Sequence, residues 1–157
     1  MGERVTRVSD RIELCHESFG DPADPPLLLI MGLGMQMVAW HDEFCAQLAA
    51  RGFHVVRFDN RDAGRSTYLD FPPPTIRQLA TRRFRPEQYT IEDMAADTAG
   101  LIDALGLGPV HVVGASMGGM IAQMLAARHP DRVRSLVSIM SNTGSRFAGQ
   151  PDPKLLS

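Results

Sequence analysis

Ser116 stands in the run Val112-Val113-Gly114-Ala115-Ser116-Met117-Gly118-Gly119-Met120, with an apolar segment before it and a helix-like pattern after it. Gly114, Ser116 and Gly118 satisfy the spacing G-x-S-x-G. A strand that reverses into a helix this tightly strains the backbone at the central residue, and glycines on either side relieve crowding where strand and helix nearly touch. The hydroxyl would then project at the carboxyl edge of a parallel sheet, where open α/β folds place their ligands. Unsatisfied N–H groups at the start of the following helix carry partial positive charge that suits a developing oxyanion. The chemistry open to such a serine is nucleophilic attack on an acyl carbon. The alternative is a glycine-rich turn whose serine only caps the helix. A phosphate loop is excluded, because no Gly-Lys-Ser/Thr follows.

Acyl transfer needs a second oxyanion donor. Met31-Gly32-Leu33-Gly34 follows the apolar run Leu27 to Met31, and a glycine turn there can aim the backbone N–H of Leu33 toward Ser116, with Met117 supplying the other N–H. The plainer reading of Gly32 and Gly34 is an ordinary strand exit. A pocket lined by Leu33, Met35, Met37 and Met117 would suit an apolar acyl or ring substrate, although methionines at helical spacing are more often core.

Activation of Ser116 needs a base and an acid, and neither has an obvious source. Of the five histidines only His129 follows Ser116, and about 12 residues of helix, or some 18 Å of rise, separate the two. A helix C-cap is the role that position fits. His111 lies inside an apolar strand, His54 opens another, and His16 and His41 belong to an edge strand and a helix start. Ser141, Asn142 and Thr143 offer no acid after the last apolar run, and Asp152 stands in a Pro-rich tail. No metal site is expected, since Cys15 and Cys45 belong to no CxxC or Cys/His cluster. No cofactor is implied.

The elements that must position these residues follow from periodicity. Val5 to Val8 and Ile12 to Glu17 alternate around a Ser9-Asp10 turn and predict an antiparallel hairpin at a sheet edge. Leu27 to Met31 is a continuous apolar run, and so, more loosely, are Val55 to Phe58, Val110 to Val113 and Val133 to Met140; runs without alternation are expected of strands covered on both faces. Trp40, Phe44 and Leu48 recur at helical spacing before Gly52. Thr90 with Asp93 resembles a capping arrangement opening a helix whose apolar face runs from Ile91 to Leu105. Met117, Met120, Ile121, Met124 and Leu125 form a third stripe, ended by His129-Pro130. The order β-β-β-α-β-α-β-α-β predicts a doubly wound, mostly parallel α/β sheet of about six strands with right-handed crossovers. Asp70 to Pro74 is a stiff loop, and Arg77, Arg82, Arg83 and Arg85 after it form a solvated face or, on a sharper reading, a site for an anionic group.

Composition bounds the alternatives. With 157 residues, 44% of them hydrophobic, the chain can bury one sizeable core. A formal net charge of −2 with interspersed signs presents no basic face of the kind that follows a phosphate backbone, so no nucleic-acid partner is expected. The N-terminus is charged and lacks an apolar leader core, and the longest apolar stretch, LLLIMGLGM, is short and broken by glycines, which predicts a cytoplasmic protein without a transmembrane segment. Two cysteines thirty residues apart read as buried thiols in a reducing compartment.

With these residues in place the chain resembles the α/β-hydrolase superfamily. LLLIMGLG resembles its oxyanion strand and turn, RFDNRDAGRS its D-x-R-x-x-G-x-S loop, and HVVGASMGGMIAQ its nucleophile elbow. The MGLG turn and the FDNRDAGRST loop are most similar to the esterase and lipase branch that includes aclacinomycin methylesterase-like enzymes. The resemblance implies a serine hydrolase of carboxylic esters, with Ser116 as nucleophile, Leu33 and Met117 lining the oxyanion hole, and Gly32, Gly114, Gly118, Asp59, Arg61 and Ser66 bracing the site. Asp59 has a rival reading as catalytic acid, since it ends a strand, but the family places its acid later in the chain. Acyl transfer, enol-lactone hydrolysis and C–C bond hydrolysis use the same elbow, and a non-catalytic binding module on this fold is a further alternative.

The family order is Ser, then acid, then His. A complete enzyme of this sort needs on the order of 200 to 250 residues or more. Residues 1–142 are therefore expected to form the N-terminal part of a hydrolase core and residues 143–157 the start of a lid or linker. The acid and histidine are expected from a complementing C-terminal polypeptide, without which the strand Val133 to Met140 would be an exposed edge and the isolated chain inactive.

Overall fold

The computed structural model describes residues 2–70, 75, 77–78, 85 and 88–144. Arg82, Arg83, Asp152 and the tail beyond Gly144 lie outside the described residues. The strands are β1 (Arg4–Arg7), β2 (Glu13–Phe19), β3 (Pro26–Ile30), β4 (His54–Phe58), β5 (Val110–Ala115) and β6 (Val133–Ile139). Helices α1 (Asp42–Ala49), α2 (Ile91–Ala104) and α3 (Met117–Arg128) alternate with the later strands. They build a six-stranded sheet in the order β1-β2-β4-β3-β5-β6.

The four strands β4, β3, β5 and β6 run parallel, and β2 alone runs against its neighbours on both sides. The predicted hairpin is present with Arg4 opposite His16 and Arg7 opposite Glu13. It is not an appendage: β2 joins the sheet through β4, with His16 opposite Phe58.

Side chains alternate across each strand, so the apolar runs feed two cores. Leu28, Ile30, Val56, Phe58, Val110 and Val112 face α2 and α3, meeting Met94, Leu101, Ile102, Ile121 and Leu125. Leu27, Leu29, Val55 and Ala115 face the other way, toward Trp40 and Cys45. Helices on both faces explain why these strands lack polar alternation. One charge breaks the run in β4. Arg57 is buried, ion-paired to Glu17 and Asp42 at 2.6 Å each, and donates to the Trp40 carbonyl.

The helix expected from Trp40 onward begins later, at Asp42 with His41 as its N-cap. Trp40 closes a short 3-10 turn over residues 37–39 and stacks on Phe44 at 5.7 Å between ring centres. At α2 the capping box forms in full: Thr90 N donates to the Asp93 carboxylate at 2.7 Å and Asp93 N to the Thr90 hydroxyl at 3.3 Å.

β6 is the sheet's edge, and Leu136, Val137 and Ile139 on it are exposed. Met140, the end of the predicted apolar run, lies just past the strand with φ +41° and is 79% exposed. Cys15 and Cys45 are both free and fully buried. Burial, aided by the carboxylates of Glu3 and Asp59, pushes the Cys15 thiol up to about 11. No helix among the described residues is long and apolar enough to cross a membrane.

Candidate active site

Parallel strands deliver their carboxyl ends to one edge, and three successive chain reversals there contribute the site. The first is the exit from β5. Ser116 lies between Ala115 of β5 and Met117 of α3 with φ +54° and ψ −121°, a conformation that a residue with a Cβ adopts only under strain. Its own backbone is locked on both sides: Ser116 N donates to Ile139 O at 2.9 Å, and Ser116 O accepts from Gly119 N at 3.0 Å. The side chain is exposed and makes no capping hydrogen bond to the helix.

Close approach explains the flanking glycines. A Cβ on Gly114 would fall on the Gly118 carbonyl, and one on Gly118 would fall on the carbonyl of Ile30, at the end of β3. Strand β5, helix α3 and the neighbouring strand meet backbone to backbone at this point, leaving no room for a methyl group.

The second reversal is the exit from β3. Gly32 is buried against the serine, so that a Cβ on it would lie 3.1 Å from Ser116 Cβ and 3.5 Å from its Oγ. Met35 N donates back to Gly32 O at 3.3 Å, closing the turn. Among the described residues, neither Leu33 N–H nor Met117 N–H has a hydrogen-bond acceptor. Leu33 and Met35 are exposed, but Met37 is turned inward at 1% exposure. Met37 is therefore core and does not line an apolar pocket with the others, because its backbone N–H is drawn down to the Asp59 carboxylate at 2.7 Å.

The third reversal is the loop after β4. Asp59 is 2% exposed, and its second carboxylate oxygen accepts from Arg65 N at 3.0 Å. The Ser66 hydroxyl donates to Asp59 O at 2.6 Å and accepts from Cys15 N at 2.8 Å, tying this loop to β2. Arg61 reaches α2: its Nε donates to the Asp97 carboxylate at 2.6 Å, and its guanidinium lies 4.9 Å from the Tyr89 ring centre. Burial pushes the Asp97 carboxyl up, against the opposing pull of Arg61. Burial, with the help of Asp62, raises the Tyr89 phenol to about 12.

Two residues escaped the sequence reading. Asn60 is 5% exposed and donates from Nδ2 to the Met31 carbonyl at 3.1 Å. Asp97, within the apolar stripe of α2, is the buried partner of Arg61. A polar residue inside an apolar helical face was the available signal for Asp97. Nothing local marks Asn60.

No histidine is hydrogen-bonded to Ser116 among the described residues. His16 Nε2 meets the Thr6 hydroxyl at 2.9 Å, and His111 Nδ1 meets the Ser135 hydroxyl at 2.7 Å. His54 and His111 sit near the amino ends of β4 and β5, the far edge of the sheet from Ser116. His41 caps α1, and His129 follows α3 as its C-cap. Among the described residues no three His, Cys, Asp or Glu side chains gather as metal ligands would.

A family model described as the alpha/beta hydrolase fold matches residues 25–156. The sequence is 39% identical over 131 residues to a rhodomycin D methylesterase of Streptomyces sp. (strain C5), covering 83% of this chain and 40% of that protein. It is 38% identical over 132 residues to a rhodomycin D methylesterase of Streptomyces peucetius, covering 84% and 40%. Among solved structures, a membrane phospholipase A described as a bacterial virulence factor superposes with a TM-score of 0.73 at 30% identity, over 90% of this chain and 40% of that one. The chain thus spans about two fifths of the length of these curated relatives.

Proposed function

The chain belongs to the alpha/beta hydrolase fold family, and from that premise we propose that it is the nucleophile-bearing part of a serine hydrolase acting on carboxylic esters. The observation that carries this reading is the pairing of an exposed, positive-φ serine with two backbone N–H groups, those of Leu33 and Met117, that have no acceptor among the described residues. Ser116 Oγ attacks the acyl carbon while a histidine takes its proton. The Leu33 and Met117 N–H groups hold the oxyanion, the alcohol leaves with the proton, and water then releases the acyl group by the same steps in reverse. Gly32, Gly114 and Gly118 keep the backbones close enough for this geometry, and Asp59 holds the loop beneath it.

The acid and the histidine come, on this reading, from a complementing C-terminal polypeptide. Two observations support it: no histidine is bonded to Ser116 among the described residues, and the exposed edge strand β6 offers a row of backbone groups for further strands. Residues 1–142 then form the first part of the core.

The test is a fluorophosphonate probe followed by peptide mass spectrometry, with p-nitrophenyl ester turnover measured alongside. The reading expects one adduct, on the peptide carrying Ser116, absent in Ser116→Ala. It also expects ester turnover that is feeble for residues 1–157 alone and rises when the complementing polypeptide is added. An adduct elsewhere, or none with that polypeptide present, would leave a binding module on the same fold.

A further inference from the structure

We propose that Asn60 is a positioning residue for the oxyanion turn, its side-chain amide holding the Met31 carbonyl and so setting the direction of the peptide that carries the Gly32 N–H. The inference rests on the reading of residues 32–34 as the oxyanion turn.

Asn60 follows β4 by two residues, and β4 lies beside β3 with Phe58 opposite Ile30. The side chain is thus delivered to the point where β3 gives way to the turn. A buried amide costs free energy unless it is hydrogen-bonded, and this one is used: Nδ2 donates to Met31 O at 3.1 Å. A trans peptide is planar, with its C=O and N–H on opposite edges. Fixing the Met31 carbonyl therefore fixes where Gly32 N–H points, and glycine has no side chain of its own to do so.

The next peptide is held in the same way. Met35 N donates to Gly32 O at 3.3 Å, which sets the Leu33 N–H on the opposite edge. At the far end of the turn the Asp59 carboxylate takes Met37 N–H at 2.7 Å. Adjacent residues at the end of β4 thus grip the two ends of the turn, Asn60 through a carbonyl and Asp59 through an amide. The chemistry demands different side chains at the two positions, because a carbonyl needs a donor and an N–H needs an acceptor. Asn60 is itself steadied, since its backbone O accepts from Ala63 N at 3.1 Å. Oxyanion donors act only if already aimed when charge develops, so a side chain that anchors the peptide leading into Leu33 is part of how the turn works even though it touches no substrate.

The test compares wild type with Asn60→Asp, which keeps size and shape but turns an acceptor toward the Met31 carbonyl at neutral pH. Amide hydrogen exchange over residues 32–37 and the rate of Ser116 phosphonylation are read in the same preparations. Exchange in the turn should quicken about tenfold while β5 and α3 stay unchanged, and phosphonylation should slow about tenfold. Both should return toward wild type, after correction for intrinsic rates, as the new carboxyl is protonated and regains a donor. Unchanged exchange in the turn, or a loosened turn with wild-type phosphonylation, would overturn the assignment. If wild type takes no probe even with the complementing polypeptide present, the hydrolase reading fails by itself and the exchange arm still decides Asn60. If the variant does not fold, exchange of the Asn60 side-chain amide in wild type decides instead: protected protons support the bond, and solvent-like exchange overturns it.

Discussion

Gly32 presses on Ser116 so closely that a Cβ at position 32 would stand 3.1 Å from the Ser116 Cβ and 3.2 Å from the Ala115 carbonyl oxygen. The turn and Ser116 therefore share one space, and displacing one displaces the other. Gly32→Ala is expected to push the turn outward at a cost near 1 kcal/mol, the mild end of overpacking. The same change should slow Ser116 phosphonylation by about tenfold or more. A labelling rate equal to wild type would remove the turn from the site.

Gly118 makes a stricter demand. Its missing side chain leaves room for the Ile30 carbonyl, so Gly118→Ala must separate α3 from β3. Urea unfolding should show a loss of about 3 kcal/mol, the upper end of overpacking. Gly52 serves as the control: it stands in the turn after α1 with φ +83° and open space around it, so Gly52→Ala should cost only about 1 kcal/mol, for the backbone alone.

Arg61 and Asp97 form an enclosed ion pair, with side-chain exposures of 10% and 7%. Truncating one partner strands the other charge in the interior. Asp97→Ala should cost about 3 to 5 kcal/mol, whereas Arg61→Leu combined with Asp97→Leu should recover much of it. A double-mutant cycle by chemical denaturation measures the difference, and additive single losses would contradict the pairing.

His16 links stability to pH. Burial, with Arg4 adding repulsion, lowers its folded pKa below the usual imidazole value, so near and below pH 6.5 the unfolded chain binds the proton more readily than the folded one. Its contribution is complete above the unfolded pKa and is lost as pH falls through it toward the folded value. His54 is lowered by burial too and acts in the same sense. Unfolding free energy should therefore drop between pH 7 and pH 5, less steeply in His16→Gln than in wild type. Equal slopes would show that His16 carries none of it.

Thr90→Ala removes the hydroxyl that accepts from Asp93 N and should cost about 1 kcal/mol, seen as a shifted urea midpoint with an unchanged slope.

Short-range physics was legible before any fold was known. The G-x-S-x-G spacing around Ser116, the predominantly apolar strands, the Thr90 and Asp93 box and the helix break at His129 each depend on residues within a few positions of one another. The strand and helix order and the alternation of faces therefore emerged correctly from periodicity. Trp40 was misplaced because its helical spacing from Phe44 and Leu48 reflects packing on one core, not membership of one helix. Met37 takes the core position that methionines at helical spacing more often take, and not the pocket-lining alternative. Its direction is set by Asp59, 22 residues away, and no local pattern records that.

What the sequence alone determined is where the chain must bend and which stretches must be covered, because glycine, proline and apolar periodicity act on their immediate neighbours. Only the tertiary structure decided which bends meet. β3, β4 and β5 lie side by side although long stretches of chain separate them, and their shared carboxyl edge brings Gly32 against Ser116, Asn60 onto Met31, and Arg61 onto Asp97 at a separation of 36 residues. Those contacts arise from parallel pairing in the sheet, a long-range event in which the partner of each residue is chosen by the whole fold.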